Sequence, residues 1–167
     1  MRTKIIIMLL FGGVLSWTGS ACAQRIDFAS LPLEHAIKTV HGNGARQLAI
    51  FSDPDCPYCL ILERETLNRI DNVTIYTFLF PLAGHPDAAR KSMLIWCAAD
   101  RPQAWSDWMQ RRVLPAQRAC VPPLAENLKL GRKLAVRATP TLILPQGEML
   151  LGAVDAETLE RKLGPSP

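Results

Sequence analysis

This 167-residue chain has no long basic stretch and no strong excess of one charge. Its 19 Lys and Arg stand against 15 Asp and Glu, a formal net charge of +4. Nowhere do basic and aromatic residues alternate. A nucleic-acid footprint needs a clustered basic face, so that class of partner is excluded. A bilayer-spanning helix needs about 20 apolar residues, and the run from Ile5 to Leu15, broken by Gly12 and Gly13, falls short of that. No internal repeat or low-complexity segment is present. Histidine is scarce: His35, His41 and His85 are the only three, none at a paired-ligand spacing. A mixed Cys/His zinc site would therefore lack its second half.

What is present begins with "MRTKIIIMLLFGGVLSWTGSACAQ". Arg2 and Lys4 make a short positive start, an apolar run follows, and Ala21 and Ala23 supply small residues where a signal peptidase reads. This is the layout of a secretory signal peptide over residues 1–23, with cleavage after Ala23. An uncleaved anchor is the alternative, as is lipidation at Cys22, although the Leu usual three positions before such a Cys is missing. Arg2 and Lys4 leave with the leader and no acid does, so the remaining net charge is +2. Residues 24–167 are one domain by ordinary size. Four of the five cysteines stay in them: Cys56, Cys59, Cys97 and Cys120. An even number in an exported chain suggests pairing, because disulfides persist in oxidising compartments.

Coarse periodicity orders the rest. "LPLEHAIKTV" (31–40) places Leu33, Ala36, Ile37 and Val40 on one helical face. "QLAIF" (47–51) is a strand, "LILERETLNRI" a helix, and "NVTIYTFLF" (72–80) a strand buried on both faces and ended by Pro81. Asp87 can cap a helix through "AARKSMLIWCAAD", and "RPQAWSDWMQRRV" continues helical after a break at Pro102. Another helix opens at "PPLAENLKLGRKLAV". "TLIL" and "EMLLGA" make a hairpin, and Asp155 and Gly164 bound a last helix. The first strand–helix–strand unit should be parallel and right-handed, the hairpin antiparallel, and the sheet mixed.

"FSDPDCPYC" (51–59) carries the chemistry. Its Cys-x-x-Cys is compatible with half a zinc site, an inert staple or a redox dithiol. Cys56 falls between a strand and a helix, and Pro57 suits the first helical turn. Unpaired N–H groups and the positive helix end then face the Cys56 sulfur, which favours thiolate over thiol. Thiols so placed have pKa values of about 3.5–7.5 instead of about 8.5. Cys59, one turn deeper, is placed to attack a mixed disulfide on Cys56.

"FSDPDCPYC", "MLIWCAADRPQAW", Cys120 and "ATPTLIL" together resemble the catalytic domain of the bacterial periplasmic disulfide isomerases DsbC and DsbG, from about Leu31 to Leu163. The resemblance implies an α/β, thioredoxin-like fold: a central mixed β-sheet with flanking helices over 47–165 and a helical insertion at about 86–121. It implies Cys56 as nucleophile and Cys59 as resolving thiol, supported by Pro57 and Tyr58. It implies that Thr139 precedes a cis Pro140 and that the Thr139 backbone pairs with a substrate strand. Cys97 and Cys120 match the family's structural disulfide, which should stabilise by roughly 3 kcal/mol on the chain-entropy model. No metal and no organic cofactor are implied. The partners implied are cysteine-containing exported proteins and a membrane thiol:disulfide reductase of DsbD type, or an oxidase, all in the periplasm.

The departure is at the N-terminus. Family isomerases carry a dimerisation domain, whereas residues 24–46 suffice only for a linker helix. The expectation is a monomer that exchanges disulfides without the isomerases' enclosed cleft. A DsbA-like oxidase or a reductase for a dedicated partner is the nearest alternative. A redox-inactive chaperone or binding module is the alternative of another class.

Overall fold

The computed structural model describes residues 25–166. The signal-peptide reading of residues 1–23 and the anchor reading of Cys22 lie outside them. Among the described residues no helix is long and apolar enough to cross a membrane.

Two apolar strands make the centre. β2 (Arg46–Ser52) holds Leu48, Ala49, Ile50 and Phe51 with no exposed surface. β3 (Val73–Leu79) runs parallel to it, from Arg46 beside Val73 to Ser52 beside Leu79. Burial on both faces explains their near-continuous apolar sequence. β4 (Thr141–Ile143) pairs antiparallel with β2, and β5 (Met149–Leu151) antiparallel with β4. With β1 (Ile37–His41) beside β3, the five-stranded mixed sheet has the order β1-β3-β2-β4-β5.

β1 corrects an expectation. "LPLEHAIKTV" is not a helix: Leu33–His35 is a single 3₁₀ turn, and Ile37–His41 is β1, antiparallel to β3. The apolar spacing of Leu33, Ala36, Ile37 and Val40 fits a helix, but Val40 is 53% exposed, while Ile37 is buried. Thr39 and Val40 are β-branched and stiff at χ1, which favours a pleated strand. β3 offered an open edge, and pairing with it outweighed the weak helical pattern. Over the described residues 25–46 there is thus no linker helix, and part of them completes the sheet.

The pleat sends alternate residues to opposite faces. Leu48 and Ile50 pack with Leu62, Leu67, Ile70 and Leu159 on one face. Ala49 and Phe51 pack with Phe28, Phe78, Phe80 and Ile143 on the other. The first face is covered by α1 (Pro57–Ile61), which runs on through a π turn (Leu62–Thr66) and a 3₁₀ turn (Leu67–Arg69), and by α5 (Ala156–Leu163). Asp155 caps α5, accepting the Thr158 N–H at 2.8 Å. α2 (Ala88–Trp96), α3 (Arg101–Ser106) and a following π turn (Asp107–Arg111) build a third cluster. In it Trp96, Trp105, Trp108 and Met109 pack against Cys56 and Cys59. Asp87 sits at the start of α2, but its carboxylate pairs with Arg90 and Lys91 instead of capping. Asp100 does cap α3, on the Gln103 N–H. Residues 112–122 have no regular structure. A disulfide from buried Cys97 to exposed Cys120, with Cα atoms 5.6 Å apart, ties them to the end of α2.

α4 (Leu124–Lys133) lies near the Phe face of the sheet. Phe51 stacks on Phe78 at 5.1 Å and meets Phe80 edge-on at 5.5 Å. Gly131 of α4 is pressed onto Phe80, so closely that a Cβ there would lie 2.2 Å from the ring. In an open helix Gly→Ala stabilises by about 1 kcal/mol. Here Gly131→Ala is expected to destabilise the fold by about 1–3 kcal/mol, as overpacking does. Urea denaturation of the two proteins measures it, and a more stable variant would contradict this packing.

Candidate active site

Cys56 is the residue before α1, with extended backbone (φ −72°, ψ 122°). Pro57 occupies the first helical turn, where its missing N–H costs nothing. The turn is closed by the Cys56 N–H on Asp53 O at 3.2 Å. Cys56 is 4% exposed and Cys59 not at all, whereas Tyr58 between them is 61% exposed. Both cysteines are free thiols.

From the neighbouring strand, the loop before β4 brings Thr139 to the same end of the sheet. A cis peptide joins Thr139 to Pro140, and both residues are buried. The Cys56 S–H donates to Thr139 O at 3.2 Å. That carbonyl by itself favours the thiol, but the donors around the sulfur outweigh it. The Cys59 S–H directed at Cys56 is the largest influence, opposed by burial. The Thr139 side chain and the backbone N–H groups of Cys59 and Tyr58 add to it. Together they bring the Cys56 thiol from about 9 down to about 5. Cys59 moves the other way: burial first, then its bond to Cys56, raises its pKa and keeps it protonated. One sulfur is a thiolate at neutral pH and its neighbour holds the proton, the asymmetry that thiol–disulfide exchange uses.

Two hydroxyls add to this. Ser52 Oγ and Thr139 Oγ1 are buried without a well-formed hydrogen bond, which leaves each O–H free to turn to a sulfur. Ser52 lies beside Cys59, and Thr139 beside Cys56. Ser52 ends β2 with the same pleat parity as Ile50 and so faces the helix that carries Cys59. Each hydroxyl is a donor held next to a sulfur that gains charge during exchange.

The turn is braced from three sides. Asp53, fully buried, accepts the N–H groups of Asp55 and Leu82, each at 2.7 Å, and lies 3.0 Å from His85 Nδ1. Trp108 Nε1 donates to Pro54 O at 2.6 Å. Lys91 Nζ and Arg112 Cζ lie 4.7 and 5.0 Å from the centroid of the Trp108 ring, and Lys91 also pairs with Asp55. One turn beyond Cys59, half-buried Glu63 accepts Trp105 Nε1–H at 2.7 Å, and burial pushes its carboxyl up to about 7.

Of the residues singled out in the sequence, Cys56, Pro57, Tyr58, Cys59, Thr139 and Pro140 thus share one place, and Cys97, bridged to exposed Cys120, belongs to the buried cluster that packs against the two thiols. Asp53, Ser52, His85, Trp108 and Arg112 escaped sequence reasoning. Asp53 alone left a signal: an acid directly after the apolar run "AIFS", where a charge must be held. Among the described residues no group of three or more His, Cys, Asp or Glu could hold a metal ion.

The lowered Cys56 pKa makes the reduced protein pH-sensitive. Between about 5, the folded value, and about 9, the ordinary one, the folded state lacks a proton that the unfolded chain holds. Stability of the reduced form should therefore rise with pH across that window and fall away as pH drops through about 5. The disulfide form has no such titration. The melting difference, reduced minus oxidised, is expected to be larger at about pH 7.5 than at about pH 5, and a difference independent of pH would remove the thiolate from the site.

Comparison with known proteins supports the same fold. A family model described as a thioredoxin-like domain matches residues 33–165. A probable thiol:disulfide interchange protein DsbC of Bordetella pertussis is 44% identical over 140 residues, 84% of this chain and 50% of the relative. DsbC of Escherichia coli K12 is 32% identical over 108 residues, 63% of this chain and 45% of the relative. The chain thus spans about half the length of the curated relatives it matches. A crystal structure of a disulfide interchange protein from Neisseria gonorrhoeae superposes with a TM-score of 0.76 at 44% identity, covering 80% of this chain and 96% of that one. A periplasmic thioredoxin-like protein from Salmonella enterica serovar Typhimurium, 20% identical over 77% of this chain and 88% of its own, shares the fold at a TM-score of 0.61. The chain belongs to the thioredoxin-like domain family, and relatives named DsbC are among those it matches.

Proposed function

We propose that this protein is an exported thiol:disulfide interchange protein of DsbC type, working in the periplasm on cysteine-containing proteins. The observation that carries the reading is the placement of two buried, adjacent free thiols, Cys56 just before a helix and Cys59 one turn deeper, beside the Thr139 carbonyl. In the reducing direction the Cys56 thiolate attacks one sulfur of a substrate disulfide. The substrate S–S bond breaks, a Cys56–substrate disulfide forms, and the leaving thiolate takes up a proton. Cys59 then loses its proton, aided by the Ser52 hydroxyl and the Asp53 N–H, and attacks Cys56 Sγ. The 56–59 disulfide forms and the second substrate thiolate leaves. Two electrons have passed from the dithiol to the substrate. The same steps reversed oxidise a substrate dithiol.

Both sulfurs, Thr139 and the bracing tryptophan come from one chain, so a single copy is the proposed working unit. Pro57, Tyr58 and the Thr139–Pro140 loop form the support, with the Thr139 backbone offered to an extended substrate segment. The Cys97–Cys120 bridge holds the helical insertion over the site. No metal or organic cofactor takes part. A membrane reductase of DsbD type keeps the dithiol reduced when the protein serves as reductase or isomerase, and an oxidase does the opposite.

Three outcomes of one trapping experiment test this. Cys59→Ser in the periplasm should accumulate mixed disulfides on Cys56, whereas Cys56→Ser should trap nothing and lose reduction of a model disulfide by at least about 10²-fold, since the thiolate is the nucleophile. Trapped proteins with several cysteines point to isomerisation, and a single recurrent partner points to a dedicated reductase. Full loss of trapping in the Cys59→Ser protein would favour the redox-inactive binding module.

A further inference from the structure

Beyond the two sulfurs, the group built most firmly into the redox centre is Asp53. Its carboxylate holds the Asp55 and Leu82 N–H groups and meets His85 Nδ1, while its main chain faces the cysteines. The Asp53 N–H donates to Cys59 Sγ at 3.4 Å, and its C=O receives the Cys56 N–H at 3.2 Å. The other charges on this side have other partners. Lys91 pairs with Asp55 and Asp87, and Arg90 with Asp87. Arg112 covers Trp108 and reaches Pro54 O at 3.4 Å. Among the described residues His85 is the one cationic side chain that meets Asp53. Its ring stands on the loop between β3 and α2 with 29% of the side chain exposed, so it can trade protons with water, while the Asp53 carboxylate is fully buried.

We propose that His85, seated on Asp53, is a positioning residue that sets the charge balance of the dithiol, binding a proton while Cys56 is a thiolate and releasing it when the 56–59 disulfide forms. This rests on the reading of Cys56 and Cys59 as an exchanging pair and deepens it. A buried carboxylate three residues before Cys56 opposes a second negative charge there, and an imidazolium on that carboxylate removes much of the opposition. The Asp53 hydrogen bond is the main reason that the His85 pKa is raised, and the fields of Cys56 and Asp55 raise it further, against a loss by burial. A raised histidine pKa gives stabilisation that is complete below the ordinary value and is lost as pH rises through the folded one. The coupling is reciprocal: what the thiolate does for the imidazolium, the imidazolium does for the thiolate.

The balance closes as follows. The reduced site holds a Cys56 thiolate, a Cys59 thiol and a protonated His85. Disulfide formation gives two electrons to the substrate disulfide. The Cys59 proton passes through solvent to a leaving thiolate, and the His85 proton goes to water in the pH interval between its two titration points. Within that interval the couple moves more than one proton per two electrons.

NMR titration of the imidazole C2–H signals tests this on the wild-type protein in both redox states, where only three histidines need resolving. His85 is expected to titrate about half a pH unit higher in the reduced protein, roughly three-fold in proton affinity, with His35 and His41 unmoved. Reciprocally, in His85→Asn, which keeps a donor for Asp53 and drops the charge, the Cys56 thiolate absorbance should titrate about half a unit higher. In His85→Lys the low Cys56 value should return and the redox-linked proton should vanish. An identical His85 titration in both redox states overturns the inference, as does a Cys56 titration unmoved in His85→Asn. If the asparagine variant does not fold, the wild-type titration still decides. A wild-type dithiol that never equilibrates with glutathione would sink the exchange reading itself, whereas an equilibrating dithiol with an unshifted His85 sinks only this step.

Discussion

Cys56 and Thr139 are 83 positions apart in sequence, yet sulfur and carbonyl oxygen are 3.2 Å apart. The antiparallel pairing of β2 with β4, which sets Phe51 opposite Thr141, holds them there. Five residues beyond Phe51 comes Cys56, and two residues before Thr141 comes Thr139, so one register fixes both halves of the site. A one-residue slip would turn every side chain of β4 to the other face. β2 cannot slip easily, because its residues from Leu48 to Phe51 are buried on both faces and locked to β3 as well. Burial of the central strands is therefore what gives the redox centre its geometry. The hairpin of β4 and β5 and the stacked rings of Phe51, Phe78 and Phe80 serve the same end.

On that frame the two cysteines are made unequal by position alone. Cys56 stands at the end of the helix where N–H groups have no backbone acceptor, so Tyr58 and Cys59 direct theirs at its sulfur. Cys59 lies one turn deeper, against apolar neighbours, where a charge would be costly. Neither shift needs a cationic side chain in contact with sulfur. Asp53 has a double part, because its backbone serves both cysteines while its carboxylate fastens the turn to the loop after β3. The helical insertion grips the same turn from outside through Trp108 and Arg112 on Pro54 O and Lys91 on Asp55. A turn so braced keeps the sulfurs in place while their charge changes.

Much of this was legible in the sequence because the signals were strong and local. The short apolar run at 47–51 and the nearly continuous β-branched and aromatic run at 72–80 pointed to strands, and Pro57 after Cys56 marked a helix start. Asp155 and Gly164 bounded the last helix as capping chemistry requires. The segment 31–40 misled because four apolar residues at helical spacing are a weak pattern, easily overridden by an open strand edge. The closeness of Thr139 to Cys56 was legible only through resemblance, since nothing local in "RATPTLIL" reports a contact so distant in sequence. Ser52, His85 and Trp108 stayed hidden for the same reason. A serine ending a strand, a histidine in a loop and a tryptophan in a helix each have a commoner, purely structural use, and only the fold brings them to the sulfurs.

Burial also fixes the direction in which the pair can be approached. Cys59 has no exposed surface, and Cys56 shows 4% of its own, while the flanking Pro57 and Tyr58 face solvent. A disulfide exchange needs attacking, central and leaving sulfurs nearly in line. With Cys59 behind Cys56, a substrate sulfur would reach only Cys56, from the open side, so in the proposed exchange the mixed disulfide would form there whatever the thiol pKa values are. The pKa asymmetry then governs rate and burial governs polarity, and the two agree because both follow from one placement: a cysteine just before a helix whose inner face is sunk in the core.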